Sequence, residues 1–185
     1  KGRMADPAMR LLADAGLSDQ VEIVMRDYRD VKGQFDAVAS IEMFEAVGEK
    51  HWPTYFAALR DRLKPGGKAG LQIITIKADV FDSYKKRPDF IQAYVFPGGM
   101  LPTAGHLDEL GRAVSLKISN EIAFSQDYAK TLAIWRERFW VAWEKVKTLG
   151  FDERFKRLWE FYLYYCEAGF RSEYIEVRQV TYVKS

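Results

Sequence analysis

One stretch, residues 35–76, constrains the fold of this chain more than any other. It begins with FDAVASIEMFEAVG, continues through a helix-like segment and ends with LRDRLKPGGKAGLQIITI. The order is a buried strand, an acidic elbow, a helix, a Lys-Pro-Gly-Gly turn and a second buried strand. Open α/β sheets of this kind place their chemistry at the carboxyl ends of the strands. The stretch therefore predicts an α/β sheet with one carboxylate, Glu45, beside a ligand cleft.

The local patterns give the boundaries of the individual elements. Residues 36–42 are almost continuously apolar, which is typical of a central parallel strand buried on both faces. Residues 21–27 alternate apolar and polar side chains and predict a further strand. An amphipathic helix is predicted at 51–63, and Pro65-Gly66-Gly67 ends it because Pro cannot continue a helix and Gly tolerates a left-handed turn.

The remaining chain predicts one domain with an insertion. Residues 77–102 contain several aromatic residues, three prolines and two glycines, and long ordered loops of this kind are often lids or binding loops. We therefore expect an inserted substrate-side segment at about 77–103 and a helical segment at about 127–171. The other predicted elements are helices at 4–16, 104–114, 127–147 and 152–169 and strands at 68–76, 116–124 and 176–184.

Composition excludes several classes of protein. The 185 residues are 48% hydrophobic, enough for one core, and the formal charge of +2 does not indicate a nucleic-acid groove. No apolar run approaches the roughly 18–20 residues of a membrane span. The start, KGRMADPAMR, has no signal-peptide core, and the single Cys166 allows no disulfide within the chain. These features predict a cytoplasmic protein.

Several segments together resemble the cyclopropane-fatty-acyl-phospholipid synthase family of S-adenosylmethionine (SAM)-dependent class I methyltransferases. The most specific are FIQAYVFPGGMLP, DYAKTL and CEAGFR, whereas LKPGG occurs more widely. The resemblance implies a Rossmann-like class I methyltransferase sheet with flanking helices. It also implies methylene transfer from SAM to the cis double bond of an unsaturated phospholipid acyl chain, which forms a cyclopropane ring. The matching segments are 26–30, 35–48, 55–67, 90–102, 124–139 and 150–171.

The resemblance also implies that part of the family's pattern lies upstream of residue 1. The Gly-rich SAM loop, the ribose-binding acid and an active-site cysteine have no match, and no G-x-G-x-G occurs in the chain. We therefore expect the C-terminal portion of a synthase, truncated at its N-terminus, which alone binds SAM weakly or not at all. Missing neighbouring strands would expose a sheet edge and favour aggregation or a homodimer.

The family uses a bound bicarbonate as its base, and the resemblance assigns the residues around it. Glu45 matches the acid that holds the ion, Tyr128 matches a tyrosine, and Ile74 matches a residue that contributes its backbone amide. Gln72 stands where many members have a histidine, and Ala46 stands where a histidine follows the acid. Gln donates a hydrogen bond but does not titrate, so the fate of the cationic intermediate is left open.

The cofactor and acyl-chain residues follow from the same resemblance. Asp27, Tyr28 and Arg29 match the turn that lines the adenine of SAM, and Ser40 and Ile41 match the strand end beside its methionine part. The apolar side chains below are candidates for an acyl tunnel, although core packing is the default for aromatic residues at helical spacing. They are Phe96, Met100, Trp135, Phe139 and Phe170.

The catalytic candidates also have purely structural interpretations. Glu45 is also a helix-start acid, Tyr128 a possible buried aromatic, and Gln72 could bond a backbone group as readily as a ligand. His51 and His106 are expected at the surface or in caps, and no metal site is predicted. The basic cluster at 145–157 is either a solvated face or a contact for the surface of a phospholipid membrane.

Three alternatives to the cyclopropane reaction remain open. A related SAM methyltransferase could give a methyl- or methylene-branched acyl chain, or act on a small soluble molecule. A non-catalytic lipid-binding remnant is the third, because the chain lacks the Gly-rich loop.

Overall fold

The computed structural model of the protein describes residues 5–185. The chain divides into two compact units, of which the smaller ends at Gly33 and the larger comprises Gln34–Ser185. The strands and most of the helices belong to the larger unit.

The smaller unit contains helix α1 (Ala5–Asp14) and a 3₁₀ turn, Tyr28–Asp30. The first predicted helix is confirmed in its central part, and Met4, at its predicted start, lies outside the described residues. The strand predicted at 21–27 is wrong. A strand needs a neighbour for its N–H and C=O groups, and none of the four described strands pairs with these residues.

The larger unit is built on a mixed sheet of four strands. These are β1 (Phe35–Ile41), β2 (Leu63–Ile76), β3 (Leu116–Ala123) and β4 (Ile175–Lys184). Their order is β1-β2-β4-β3, in which β1 and β2 are parallel and β4 is antiparallel to both of its neighbours. The strands predicted in this part of the chain are confirmed, and so is the α/β class.

Strand β1 lies at the edge of the described sheet. It was expected to be buried on both faces, but most of its residues are exposed, including Phe35 at 43% and Ile41 at 62%. The expectation is wrong because β1 pairs only with β2 among the described strands. An apolar run predicts a strand but does not determine which neighbours cover it.

The predicted Lys-Pro-Gly-Gly turn is an irregularity at the start of β2. Phe35 pairs with Leu63 and Ala37 pairs with Lys68, so the register shifts across residues 64–67. Gly67 approaches the backbone closely, because a Cβ there would lie 2.9 Å from the Lys64 carbonyl oxygen. The sequence therefore predicted an irregular backbone at residues 64–67, but not that these residues belong to β2.

Six helices surround this sheet. They are α2 (Trp52–Arg62), α3 (Phe81–Lys86), α4 (Phe90–Tyr94), α5 (Ala104–Ala113), α6 (Ser125–Lys147) and α7 (Glu153–Arg171). Helix α2 forms the crossover between the parallel pair, as predicted, and α3 and α4 occupy the inserted segment. Helices α5, α6 and α7 lie where the sequence predicts them. No helix among the described residues is long and apolar enough to span a membrane.

Helices α6 and α7 pack on each other and on β4 through one apolar cluster. Its buried members are Ala129, Leu132, Leu163, Phe170 and Val177. Beside this cluster, the Arg136 guanidinium bonds the carboxylate of Glu167, which also pairs with Arg171 at 2.7 Å. The first turns of α6 are therefore held firmly against the sheet, and this fixes the position of Tyr128.

Candidate active site

The chain turns sharply where β1 ends. Glu42 adopts a positive φ of 49°, which non-glycine residues rarely do, and its backbone N–H donates to the Gln72 carbonyl oxygen at 2.9 Å. The next residues form a 3₁₀ turn, Phe44–Ala46, anchored by the fully buried ring of Phe44. Strained backbone of this kind concentrates at functional sites. The turn carries two carboxylates, Glu42 and Glu45.

Glu45 is held against β2. Its Oε1 accepts the backbone N–H of Ile74 at 2.6 Å, and its Oε2 is buried without a hydrogen-bond partner among the described residues. Burial raises the pKa of Glu45; the Ile74 hydrogen bond opposes this, and the nearby Glu42 charge adds to it. The unpartnered oxygen can accept a proton or a hydrogen bond from a ligand.

The backbone of Glu45 also positions the inserted segment. Its carbonyl oxygen accepts the N–H of Met100 at 2.9 Å. Within that segment, the Gln92 amide donates to the Gly99 carbonyl at 2.8 Å and completes a capping box with Asp89. The segment at 77–103 therefore reaches the candidate site through main-chain bonds.

Tyr128 and Gln72 both donate hydrogen bonds to Glu42. The Tyr128 hydroxyl lies 3.2 Å from Oε1 and 3.4 Å from Oε2 of Glu42, and the Gln72 Nε2 lies 2.7 Å from Oε1. Burial, and then the Glu42 charge, raise the pKa of Tyr128, so its hydroxyl stays protonated and acts as a donor. Two residues that were expected to hold a bicarbonate thus converge on a side chain of the protein.

Gln72 is itself oriented from the next strand. Its Oε1 accepts from the Nε2 of Gln179 at 3.0 Å, and the two residues are direct partners in the β2–β4 pairing. The Gln72 amide can therefore present its NH₂ group only toward Glu42. A chain of donors runs from Gln179 through Gln72 to Glu42.

Neither Glu42 nor Gln179 was predicted to be a site residue from the sequence. A signal for Glu42 was present, because it is the first residue after a predicted strand, where α/β sheets place ligands. It was interpreted as the end of the strand. Gln179 has no local signal, because its partner is 107 residues away in the sequence and only the register of the sheet brings them together.

The residues expected to bind SAM lie in both units. Ser40 and Ile41 end β1 next to Glu42, and the Ser40 hydroxyl accepts from the Tyr55 hydroxyl at 2.8 Å. In the smaller unit, Asp27 caps the turn at Tyr28 and binds the Arg29 guanidinium at 2.8–2.9 Å, which lowers the pKa of Asp27 to about 2. Their roles toward SAM stay predictions.

Two of the tunnel candidates contact Tyr128. Its ring lies 4.8 Å from that of Phe170 and 6.3 Å from that of Trp135, measured between centroids. Phe170 is buried, whereas Trp135 is 46% exposed. The ring of Tyr128 therefore packs against aromatic side chains of both α6 and α7.

The other candidates are more dispersed. Phe96 is 57% exposed, with its ring 6.4 Å from Tyr162, and Phe139 packs on Trp143 at 5.7 Å beside the core cluster. Met100 reaches the site through its backbone. An acyl tunnel lined by the whole set stays a prediction.

Cys166 and His106 have contacts that are explained by packing and helix capping. Burial raises the pKa of the half-buried Cys166 thiol to about 12, so it is a poor nucleophile. His106 completes a capping box with Thr103 at the start of α5, and its ring packs on Phe81 at 4.6 Å. Within residues 5–185, no group of three or more His, Cys, Asp or Glu could hold a metal ion.

Comparison with known proteins identifies the family. The family model described as mycolic acid cyclopropane synthetase matches residues 4–180. The chain belongs to this family. A tuberculostearic acid methyltransferase of Mycobacterium tuberculosis, UfaA1, is 46% identical over 178 residues. The cyclopropane-fatty-acyl-phospholipid synthase of Escherichia coli is 36% identical over 162 residues. The resemblance to the family is thus confirmed.

The alignments cover most of this chain and less than half of each relative. They include 96% of the chain and 42% of UfaA1, and 88% of the chain and 41% of the Escherichia coli synthase. A crystal structure of the mycolic acid cyclopropane synthase CmaA1, complexed with SAH and CTAB, superposes with a TM-score of 0.83 at 23% identity. It covers 97% of this chain and 66% of that one. The class I methyltransferase fold is confirmed.

Proposed function

We propose that the complete protein transfers a one-carbon unit from SAM to the cis double bond of an unsaturated phospholipid acyl chain and closes a cyclopropane ring. The observation that carries this proposal is the pair of carboxylates, Glu42 and Glu45, gathered with Tyr128 at the carboxyl end of β1. Membership of the cyclopropane synthetase family supports it.

The arrangement suits a reaction with a cationic intermediate. SAM supplies an electrophilic methyl group, and methylation of an alkene leaves a positive charge on the acyl chain. The rings of Tyr128 and Trp135 can stabilise such a charge, and the two carboxylates add a negative potential. A carboxylate oxygen then accepts the proton whose loss completes the product.

The fit of this chain to SAM rests on the end of β1. Ser40 and Ile41 lie beside the carboxylates, where ligands of α/β sheets bind, and would hold the methionine part. The family resemblance alone assigns Asp27, Tyr28 and Arg29, in the smaller unit, to the adenine. The sequence lacks a Gly-rich loop, which normally approaches the rest of such a ligand through its backbone.

The second candidate function is the formation of a methyl- or methylene-branched acyl chain. It is favoured by the 46% identity with a protein named a tuberculostearic acid methyltransferase. A hydride would then move from the methylated carbon to the neighbouring cationic carbon, and loss of a proton from the added carbon would leave a methylene branch. The hydride shift before proton loss distinguishes the methylene product from the ring.

Contact with a membrane surface is part of the proposal. The C-terminal part of α6 exposes Val141 at 89%, and the connection to α7 exposes Leu149 and Phe151 at 72% and 43%. Residues 141–157 carry five basic and three acidic side chains. Exposed apolar groups among basic ones suit an anionic phospholipid surface.

The test is an assay of the complete protein with SAM labelled in its methyl group and vesicles of an unsaturated phospholipid. We expect the label in the acyl chains, with product resistant to catalytic hydrogenation if a ring has formed. Labelled product that takes up hydrogen would favour the methylene product. Label only in small soluble acceptors, or none in lipid, would contradict lipid modification.

A further inference from the structure

The donors expected to hold a bicarbonate are already engaged by Glu42. Tyr128 donates to it at 3.2 and 3.4 Å and Gln72 donates at 2.7 Å. The third expected donor, the backbone N–H of Ile74, is bonded to Glu45 at 2.6 Å. Each donor that would bind the ion therefore has a carboxylate partner, and the residues fit a separate bicarbonate poorly.

A glutamate carboxylate carries the same acceptor geometry as the ion. Both present two oxygen atoms on one planar carbon, and both accept a proton on oxygen. Glu42 is also an exposed side chain, so the carboxylate that Tyr128 and Gln72 hold remains open to an approaching acyl chain. Glu45 is mostly buried by comparison and has one oxygen fixed to the backbone.

Three hydrogen bonds, one to the backbone and two to the side chain, fix the position of Glu42. Its backbone is held in a left-handed conformation by the bond from its N–H to the Gln72 carbonyl. Its side chain is held by Gln72 and Tyr128, and Gln72 is oriented by Gln179. Such convergence on one exposed carboxylate exceeds what the folding of the turn requires, because a short polar residue or glycine would adopt the same backbone more easily.

We infer that Glu42 is the general base of the reaction and takes the place of a bound bicarbonate. The inference rests on the proposed function. The π pair of the alkene forms the new C–C bond to the methyl carbon, and the pair of the broken C–S bond stays on sulfur. A lone pair of Glu42 then forms an O–H bond with a proton of the cation. The released C–H pair closes the ring, or, once a hydride has moved from the methylated carbon to the cationic carbon, forms the C=C bond of the methylene product, and Glu42 returns its proton to water.

The experiment compares the complete protein in carbon-dioxide-free buffer with and without added bicarbonate. We expect the wild-type rate to differ by less than about twofold between the two buffers. Loss of a general base typically costs 10²–10⁴-fold, so Glu42→Gln should lower turnover by at least about 10²-fold. The control Glu109→Gln, an exposed carboxylate on α5, should keep the wild-type rate.

A second variant separates a chemical role from a structural one. Glu42→Gly opens the space between Tyr128 and Gln72 and relieves the positive φ, so it should fold and bind SAM. We expect it to be nearly inactive without bicarbonate and to recover at least about tenfold when bicarbonate or formate is added, since these place a carboxylate in the opened space.

The outcomes distinguish this inference from the proposed function. A wild-type rate that vanishes without bicarbonate and returns with it would overturn the role of Glu42 alone. Full activity of Glu42→Gln would do the same. No lipid product from the wild type in either buffer would overturn the proposed function, and the inference with it.

Discussion

At the scale of single residues, the two neighbouring carboxylates have different surroundings. Glu45 is buried, keeps one oxygen unpartnered among the described residues and has a raised pKa, whereas Glu42 is exposed and accepts two side-chain hydrogen bonds. Pairs of acids in different environments commonly divide the work of a site, one as base and the other as a neutral or electrostatic partner. Each role predicts a distinct effect of substitution.

Substitution of Glu45 should affect turnover more than cofactor binding. Glu45→Gln keeps the size of the side chain and its acceptor for the Ile74 N–H, but it removes the negative charge beside the cation. We expect turnover of the complete protein to fall by about 10²-fold, with the SAM dissociation constant changed less than about threefold. Unchanged turnover would remove Glu45 from the mechanism; the measurement pairs initial rates with calorimetry.

Glu45 should also make stability depend on pH. Its folded pKa lies above the ordinary value of 4.5, so the folded state binds more protons than the unfolded state between those two values. Stability contributed by the neutral acid is therefore present below pH 4.5 and is lost as the pH rises through the folded pKa. Urea denaturation of Glu45→Gln should show a weaker fall over this window. An identical pH profile for variant and wild type would contradict the burial of an ionisable Glu45.

At the scale of elements, the sheet and the helix pair α6 and α7 carry the site. Glu42 lies at the end of β1, Gln72 in β2 and Gln179 in β4, while Tyr128 projects from the first turns of α6. The apolar cluster under α6 and α7 is what holds Tyr128 against the strands. Loss of that packing should make the position of Tyr128 less well defined, while the catalytic side chains themselves are unchanged.

A substitution in the apolar cluster tests how much this packing stabilises the fold. Leu163→Ala removes a side chain that is 2% exposed in the cluster and should lower the free energy of unfolding by about 2–5 kcal/mol. The matched control Leu149→Ala removes the same atoms from a side chain that is 72% exposed, and it should change stability by less than about 0.5 kcal/mol. Equal effects in urea denaturation would contradict the position of the core.

The sequence predicted most elements and part of the site. Hydrophobic periodicity and turn residues located β2, α6 and α7, because these signals are local. Burial of β1 and a strand at 21–27 were predicted wrongly, because both depend on neighbouring strands that the local pattern does not specify. The sequence singled out Glu45 and Tyr128 through the family resemblance, whereas the pairing of Tyr128 with Glu42 required the three-dimensional arrangement.

At the scale of the whole molecule, the surface at 141–157 predicts binding to anionic vesicles. Each basic side chain near such a surface contributes about 1 kcal/mol, so Lys145→Glu combined with Arg154→Glu should weaken vesicle partition by at least about 30-fold. Binding should also fall as salt rises. The control Lys117→Glu changes an exposed charge on β3 and should bind normally. Equal partition of all variants in a sedimentation assay would contradict the proposed contact.

Modification of acyl chains at the carboxylate site can be measured in whole cells. It is tested most directly by lipid mass spectrometry of a host that lacks its own synthase and expresses the complete protein or its Glu42→Gln variant. We expect unsaturated acyl chains heavier by one CH₂ with the wild type and few or none with the variant, at equal protein levels. Unchanged lipids despite accumulated, SAM-binding wild-type protein would contradict it.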